Sequence, residues 1–196
     1  MENTQKKMST KTMVLGAVLT ALVVILQFTG AAIHFGPFSI SLVLIPIVIG
    51  AATCGVGVGS WLGFVFGLVV LLSGDAGAFL AVNIPGTIIT VLLKGTACGL
   101  LSGLAYKALS KVNRYVAVVA AAIVCPVVNT GIFLLGCLVF FMETISEWAI
   151  AAGLGANVGQ YMIFGLVGTN FLFELGTNII VSPIVVRLLN IREKQN

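Results

Sequence analysis

One lysine falls where a membrane-crossing segment would be deepest. Lys94 lies within NIPGTIITVLLKGTACGLLSGLAYK, residues 83–107. A crossing takes about 20 mostly apolar residues, and at 1.5 Å rise per residue Lys94 falls roughly 13–15 Å below one face. Asn83, Thr87, Thr90 and Lys94 follow one another at i, i+4, i+7 and i+11, a single helical stripe that leads from a surface down to the charge. Lysine at the centre of a spanning helix costs ~2.5–3.5 kcal/mol on insertion scales, which disfavours an unpaired, lipid-facing position. Two uses remain. The ammonium can reach for a headgroup layer or pair with an acid to tie helices together. It can also meet the anionic group of a ligand in an internal cavity, and this reading is preferred.

A second polar stripe lies near the C-terminus, where Asn170, Glu174 and Asn178 recur at i, i+4 and i+8 beside Thr169 and Thr177. Asn129 and Thr130 stand just past Pro126, whose missing N–H frees a carbonyl one turn earlier. Glu174 is the carboxylate and Lys94 the base found inside apolar segments. They can pair with each other or face a ligand together. The candidate substrate-binding set is therefore Lys94, Asn83, Thr87, Thr90, Asn129, Asn170 and Glu174.

The elements that must position these residues follow from composition. The chain has 196 residues, 59% of them hydrophobic and only 8% charged, with a mean hydropathy of +1.17. Soluble domains carry about 25% charged residues, so this is an integral membrane protein. Its length leaves no room for a soluble catalytic or nucleotide-binding domain, and energy for any transport must come from a partner or an ion gradient. The net charge of +4 reflects clusters at the ends of apolar runs, which speaks for topology and against nucleic acid. Cys54, Cys98, Cys125 and Cys137 form no CxxC pair and read as small core residues. With His34 as the one histidine, no metal site or other cofactor is expected. Enzymatic readings fail on inventory: an intramembrane aspartyl protease needs two aspartates where there is only Asp75, and His34 falls in a connection. The run from Gly55 to Gly59 lacks both the preceding strand and the Lys-Ser/Thr of a phosphate loop.

The expected fold is all-α, one domain over residues 1–196 with six transmembrane helices. Polar cytoplasmic tails cover 1–11 and 190–196. Spans are placed at about 12–31, 40–55, 58–73, 83–109, 115–141 and 161–189, and the segment 143–160 is too polar to cross and can begin as a short surface helix. The N-terminal tail, the connection with Lys107, Lys111 and Arg114, and the C-terminal end with Arg187, Arg192 and Lys194 hold nine of the ten Lys and Arg residues. Asp75, Glu143 and Glu147 fall in opposite loops, so both termini are placed in the cytoplasm. Gly59, Gly63 and Gly67 form one small-residue ridge and Gly95, Gly99 and Gly103 another, where helix backbones can approach closely. Connections 31–39, 74–84 and 142–160 face outside and carry glycine joints, so ligand binding should order at least one of them.

A resemblance enters with span 1, where Ala17 and Ala21 form an A-x-x-x-A face. With the chain's size and six spans, it resembles the substrate-binding S-components of energy-coupling factor (ECF) vitamin transporters. The stretches Leu44-Ile-Pro46, Gly63-Phe-Val-Phe-Gly67, Val91-Leu-Leu-Lys94-Gly and Gly99-Leu-Leu-Ser-Gly103 look like the branch that includes the pantothenate and folate binders. That branch commonly has Pro-Arg before the small-residue ridge, where this chain has Leu93-Lys94, keeping the charge and losing the bidentate fork. The resemblance implies a subunit of the cell membrane that is not an enzyme and binds a scarce vitamin from outside. It also implies docking through Ala17 and Ala21 onto a transmembrane coupling subunit driven by two ATP-binding subunits. Riboflavin binders of the family usually bear Asn/His on the third span and thiamine binders a tryptophan-rich pocket, whereas Trp61 and Trp148 are the tryptophans here. A carboxylate-bearing vitamin suits Lys94, with pantothenate first and folate, lipoate or riboflavin as alternatives; an ion-coupled secondary transporter is the alternative outside the family.

Overall fold

A computed structural model describes the backbone of residues 9–32, 34–35, 38–39, 42–155 and 157–194, and the side chains of 9–30, 42–155 and 157–191. Lys6, Lys7, Gly36 and Pro37 and the side chains of His34, Arg192 and Lys194 lie outside the described residues. Helix α1 (Thr10–Ala32) begins where the Ser9 hydroxyl accepts a hydrogen bond from Thr12 N at 3.2 Å, a side-chain cap for an otherwise unpaired donor. Two short strands follow, β1 (His34–Phe35) and β2 (Phe38–Ser39), paired antiparallel. This hairpin was not expected of an all-α chain, and its two-residue strands carry no periodic pattern long enough to read.

Helix α2 (Leu44–Cys54) and helix α3 (Val56–Leu72) are separated by Gly55 alone, at φ 98° and ψ 174°. That conformation favours glycine, and it lets the chain reverse in one residue. Helix α4 (Gly77–Val82) is a single short piece before α5 (Ile84–Leu109). Asn83 caps α5 by accepting from Gly86 N at 2.9 Å, and Pro85 takes an early position where no N–H is needed. Asn113 caps α6 (Arg114–Phe140) in the same way through Val116 N. Helix α7 (Met142–Ala151) leads through positive-φ Gly153 and Gly155 to α8 (Val158–Gln160). A π-helical stretch, Tyr161–Val167, then runs directly into α9 (Gly168–Lys194).

Among the described residues, four helical segments are long and apolar enough to cross a membrane: Thr10–Gly30, Ile84–Leu109, Arg114–Phe140 and Val158–Ile191. The apolar α2 and α3 are shorter, at 11 and 17 residues. At 1.5 Å per residue α2 reaches about 16 Å, half of a ~30 Å hydrocarbon core. It is also a central packing element, with Leu44, Ile47, Val48 and Ala51 all buried.

The two glycine ridges meet face to face. A Cβ on Gly63 would strike the Gly95 carbonyl, one on Gly95 the Gly63 carbonyl, and one on Gly99 the Gly59 carbonyl. Helices α3 and α5 therefore run antiparallel with backbone against backbone, which only glycine permits. On its other side α5 packs closely on α6, where Gly136 leaves room for the Thr90 side chain and Gly86 faces Phe140. The main core lies between these helices and α1 and α2, around Val23, Leu44, Leu62, Cys98 and Cys125. Helix α9 joins it through Val185 and Leu189 against Val118 and Ala52. The α7 helix, expected on a surface, buries Ile145 and Ala149 and packs in a third cluster with Cys137, Phe141 and Met162.

Candidate functional site

The glycine seam sets the rotation of α5. With Gly95 and Gly99 against α3, the stripe of Thr87, Thr90 and Lys94 turns towards α6 and α9, where it lines a cavity of about 170 Å³. Asn129, Thr130 and Phe133 enter from α6, and Leu166, Val167 and Asn170 from the π-helical stretch and the start of α9. Val91 of α5 also lines it, and Val70, Asp75, Ala76, Phe79 and Phe141 complete the lining at the end nearest α4. The π-helical stretch places one extra residue per turn just before Asn170, a device seen often at functional sites.

Lys94 Nζ stands 5.2 Å from the centre of the Phe133 ring and 5.7 Å from that of Phe66, within the range in which a ring face attracts a cation. Among the described residues Lys94 and Glu174 make no hydrogen bond. Glu174 Oε1 accepts from Asn170 Nδ2 at 3.2 Å, and its Oε2 is buried without a partner. Glu174 is only 2% exposed and sits one helical turn beyond the cavity wall. The two charges form no direct ion pair: the cation stands between rings at the wall and the carboxylate behind an amide, still within electrostatic reach of each other.

Of the seven substrate-binding candidates, five line the cavity: Lys94, Thr87, Thr90, Asn129 and Asn170. Glu174 reaches it through Asn170. Asn83 does not line it; its side chain is spent on capping α5, and its carbonyl accepts from the Thr87 hydroxyl at 2.7 Å. Thr90 Oγ1, Asn129 Oδ1 and Asn170 Oδ1 are buried without hydrogen-bond partners among the described residues.

Sequence reasoning missed Asp75 and the aromatic wall. Asp75 read as a loop charge, yet it lines the cavity while its Oδ2 accepts from the buried Gln27 side chain at 3.2 Å. Phe133 follows Asn129 by four residues, so the helical period could have found it. Phe79 had no such signal. Its ring meets Phe133, Phe141 and Trp148 edge-on, with centroids 5.4, 5.1 and 5.4 Å away, a geometry favoured by the ring quadrupole.

Away from the cavity, Ala17 and Ala21 are both exposed on α1. Beside Ala17 runs an apolar groove lined by Met13, Gly16, Thr20, Trp61 and the 54–58 turn. Trp61 is 53% exposed, and its indole N–H donates to Thr20 Oγ1 at 3.3 Å.

Comparison with curated protein sequences finds no significant match. Among solved structures, ThiT from Listeria monocytogenes superposes with a TM-score of 0.64 at 19% identity, covering 91% of this chain and 94% of that one. That likeness concerns the fold. The family model described as "ECF transporter, substrate-specific component" matches residues 11–186. Such components are transporter subunits and not enzymes; they bind a small-molecule vitamin and associate with an ECF module. The chain belongs to the family of substrate-specific components of ECF transporters.

Proposed function

We propose that this subunit captures a small anionic vitamin, with pantothenate the best fit. The observation that carries this reading is Lys94, a cation on the wall of a mid-helix cavity, flanked by rings and hydrogen-bonded to no carboxylate among the described residues. A carboxylate leaving water loses its hydration, and a nearby cation in a low-dielectric site offsets that loss. The cavity suits a compact ligand. Six crossings in the cell membrane with both termini cytoplasmic, docking through Ala17 and Ala21, and a coupling subunit with two ATP-binding subunits complete the proposal. The exposure of both alanines supports the docking part.

A second reading is favoured by the rings of Phe79, Phe133, Phe141 and Trp148, which suit a flat aromatic vitamin such as riboflavin or folate. One titration separates the two. The purified protein is titrated with pantothenate, folate, lipoate and riboflavin, and with the carboxamide of each acid. Tight binding of pantothenate and weak binding of its amide supports the first reading. Preference for a ring-bearing vitamin, indifferent to the amide change, supports the second.

A further inference from the structure

We infer that the cavity has a second subsite, formed by Asn170 and Asn129, that takes a hydroxyl or amide N–H of the ligand and is held in its accepting form by Glu174. This rests on the reading that the ligand's carboxylate meets Lys94. Thr90 Oγ1, Asn129 Oδ1, Asn170 Oδ1 and Glu174 Oε2 are the buried side-chain oxygens without a hydrogen-bond partner among the described residues. Three belong to cavity-lining residues and the fourth to the residue bonded to Asn170. Orphaned buried polar atoms are rare and cost free energy until something pairs with them. Their gathering around a single cavity marks it as built to be filled by donors. Water can supply these in the empty protein, and a ligand that displaces it must do the same.

The amide orientation follows from chemistry. While Glu174 is ionised it can only accept, so Asn170 turns its NH2 towards Glu174 Oε1 and its carbonyl oxygen away, as an acceptor. The carboxylate is anchored by its bond to Asn170 and by its burial, while the helix behind it carries two side-chain bonds to main-chain carbonyls, Asn178 Nδ2 to Glu174 O at 2.8 Å and the Ser182 hydroxyl to Asn178 O at 3.0 Å. Glu174 is thus a positioning residue, and the carbonyl of Asn170 is what a ligand meets. The two subsites together select a carboxylic acid that carries hydroxyl or amide N–H groups away from its carboxylate.

The test titrates the full-length protein with pantothenate, with its carboxamide, and with the analogue in which both hydroxyls are replaced by hydrogen. On the wild type the dideoxy analogue should bind about tenfold more weakly or worse, because the acceptors are left unpaired. Glu174→Gln should shrink that hydroxyl preference several-fold while the preference for acid over amide persists, a split that a general loss of packing would not produce. Asn170→Ala, a change at the wall itself, should bring the hydroxyl preference close to one and provides the comparison if Glu174→Gln does not fold. Equal binding of pantothenate and its dideoxy analogue by the wild type overturns the subsite and leaves the Lys94 reading standing. Equal binding of acid and amide with the hydroxyl preference intact overturns the Lys94 reading and leaves the subsite. An unchanged hydroxyl preference in Asn170→Ala overturns the assignment to Asn170, and failure of all three ligands to bind overturns both readings.

Discussion

Replacing Gly63 by alanine tests how the fold positions the site. The new Cβ would meet the backbone of Gly95, with the carbonyl carbon 2.8 Å away and the carbonyl oxygen nearer still. Carbon contacts are comfortable near 3.5 Å, so α3 and α5 would have to part by about 0.7 Å or more. No flexible side chain can yield there, because both partners are main chain. Overpacking of this kind costs ~1–3 kcal/mol, and here the strain falls one residue from Lys94. We expect Gly63→Ala to lower the unfolding temperature in detergent by several degrees and to weaken ligand binding as well. Gly131→Ala on α6 is the control, since its Cβ would meet nothing within 4 Å and alanine favours helix over glycine. It should be neutral or slightly stabilising. If Gly63→Ala behaved like Gly131→Ala in both assays, the close seam and its role in orienting Lys94 would be refuted.

Ala17→Trp or Ala21→Trp, on the exposed face of α1, should abolish uptake by the assembled transporter while vitamin binding to the isolated subunit stays nearly unchanged; a parallel loss of both, measured by transport in proteoliposomes and by titration, would place these alanines in the bundle. Asn83→Ala should cost ~0.5–2 kcal/mol of stability through loss of the α5 cap. It should leave the order of vitamin affinities unchanged, as a thermal melt and the same ligand panel would show. The purified chain should bind vitamin yet hydrolyse no ATP, and ion-driven uptake by this chain alone in proteoliposomes would contradict the family's energetics.

The long-period features of the chain were legible because each rests on a repeated spacing. The i+4 ridges of Gly59, Gly63, Gly67 and of Gly95, Gly99, Gly103 announced close helix approaches without naming their partners, and the structure packs the two ridges against each other. The stripe of Thr87, Thr90 and Lys94 and the stripe of Asn170 and Glu174 likewise converge on one cavity and its surroundings. Asn83 sat on the same stripe but at its first turn, where the backbone's unpaired donors claim the side chain first. Asp75 and Phe79 escaped notice because they stand in a turn and a six-residue helix, too short for any period. The 11-residue α2 was read as longer at its start, from about residue 40, because the apolar Leu42 and Val43 before it continue the composition of a span. The π-helical stretch at Tyr161–Val167 has no compositional mark.

The central claim is that Lys94 is the ligand's charge partner. It is tested most directly by titrating pantothenate and its carboxamide against the wild type, Lys94→Ala and Lys94→Arg. Removing the partner of a buried charge costs ~2–5 kcal/mol, so Lys94→Ala should weaken the acid roughly 30-fold to several thousand-fold, at about 1.4 kcal/mol per tenfold. Lys94→Arg should keep part of the affinity, since the charge survives and the geometry changes. The amide should bind the wild type poorly and lose little more in Lys94→Ala. Normal binding of the acid to Lys94→Ala, or equal binding of acid and amide to the wild type, would contradict the claim and leave Lys94 a purely structural cation between Phe66 and Phe133.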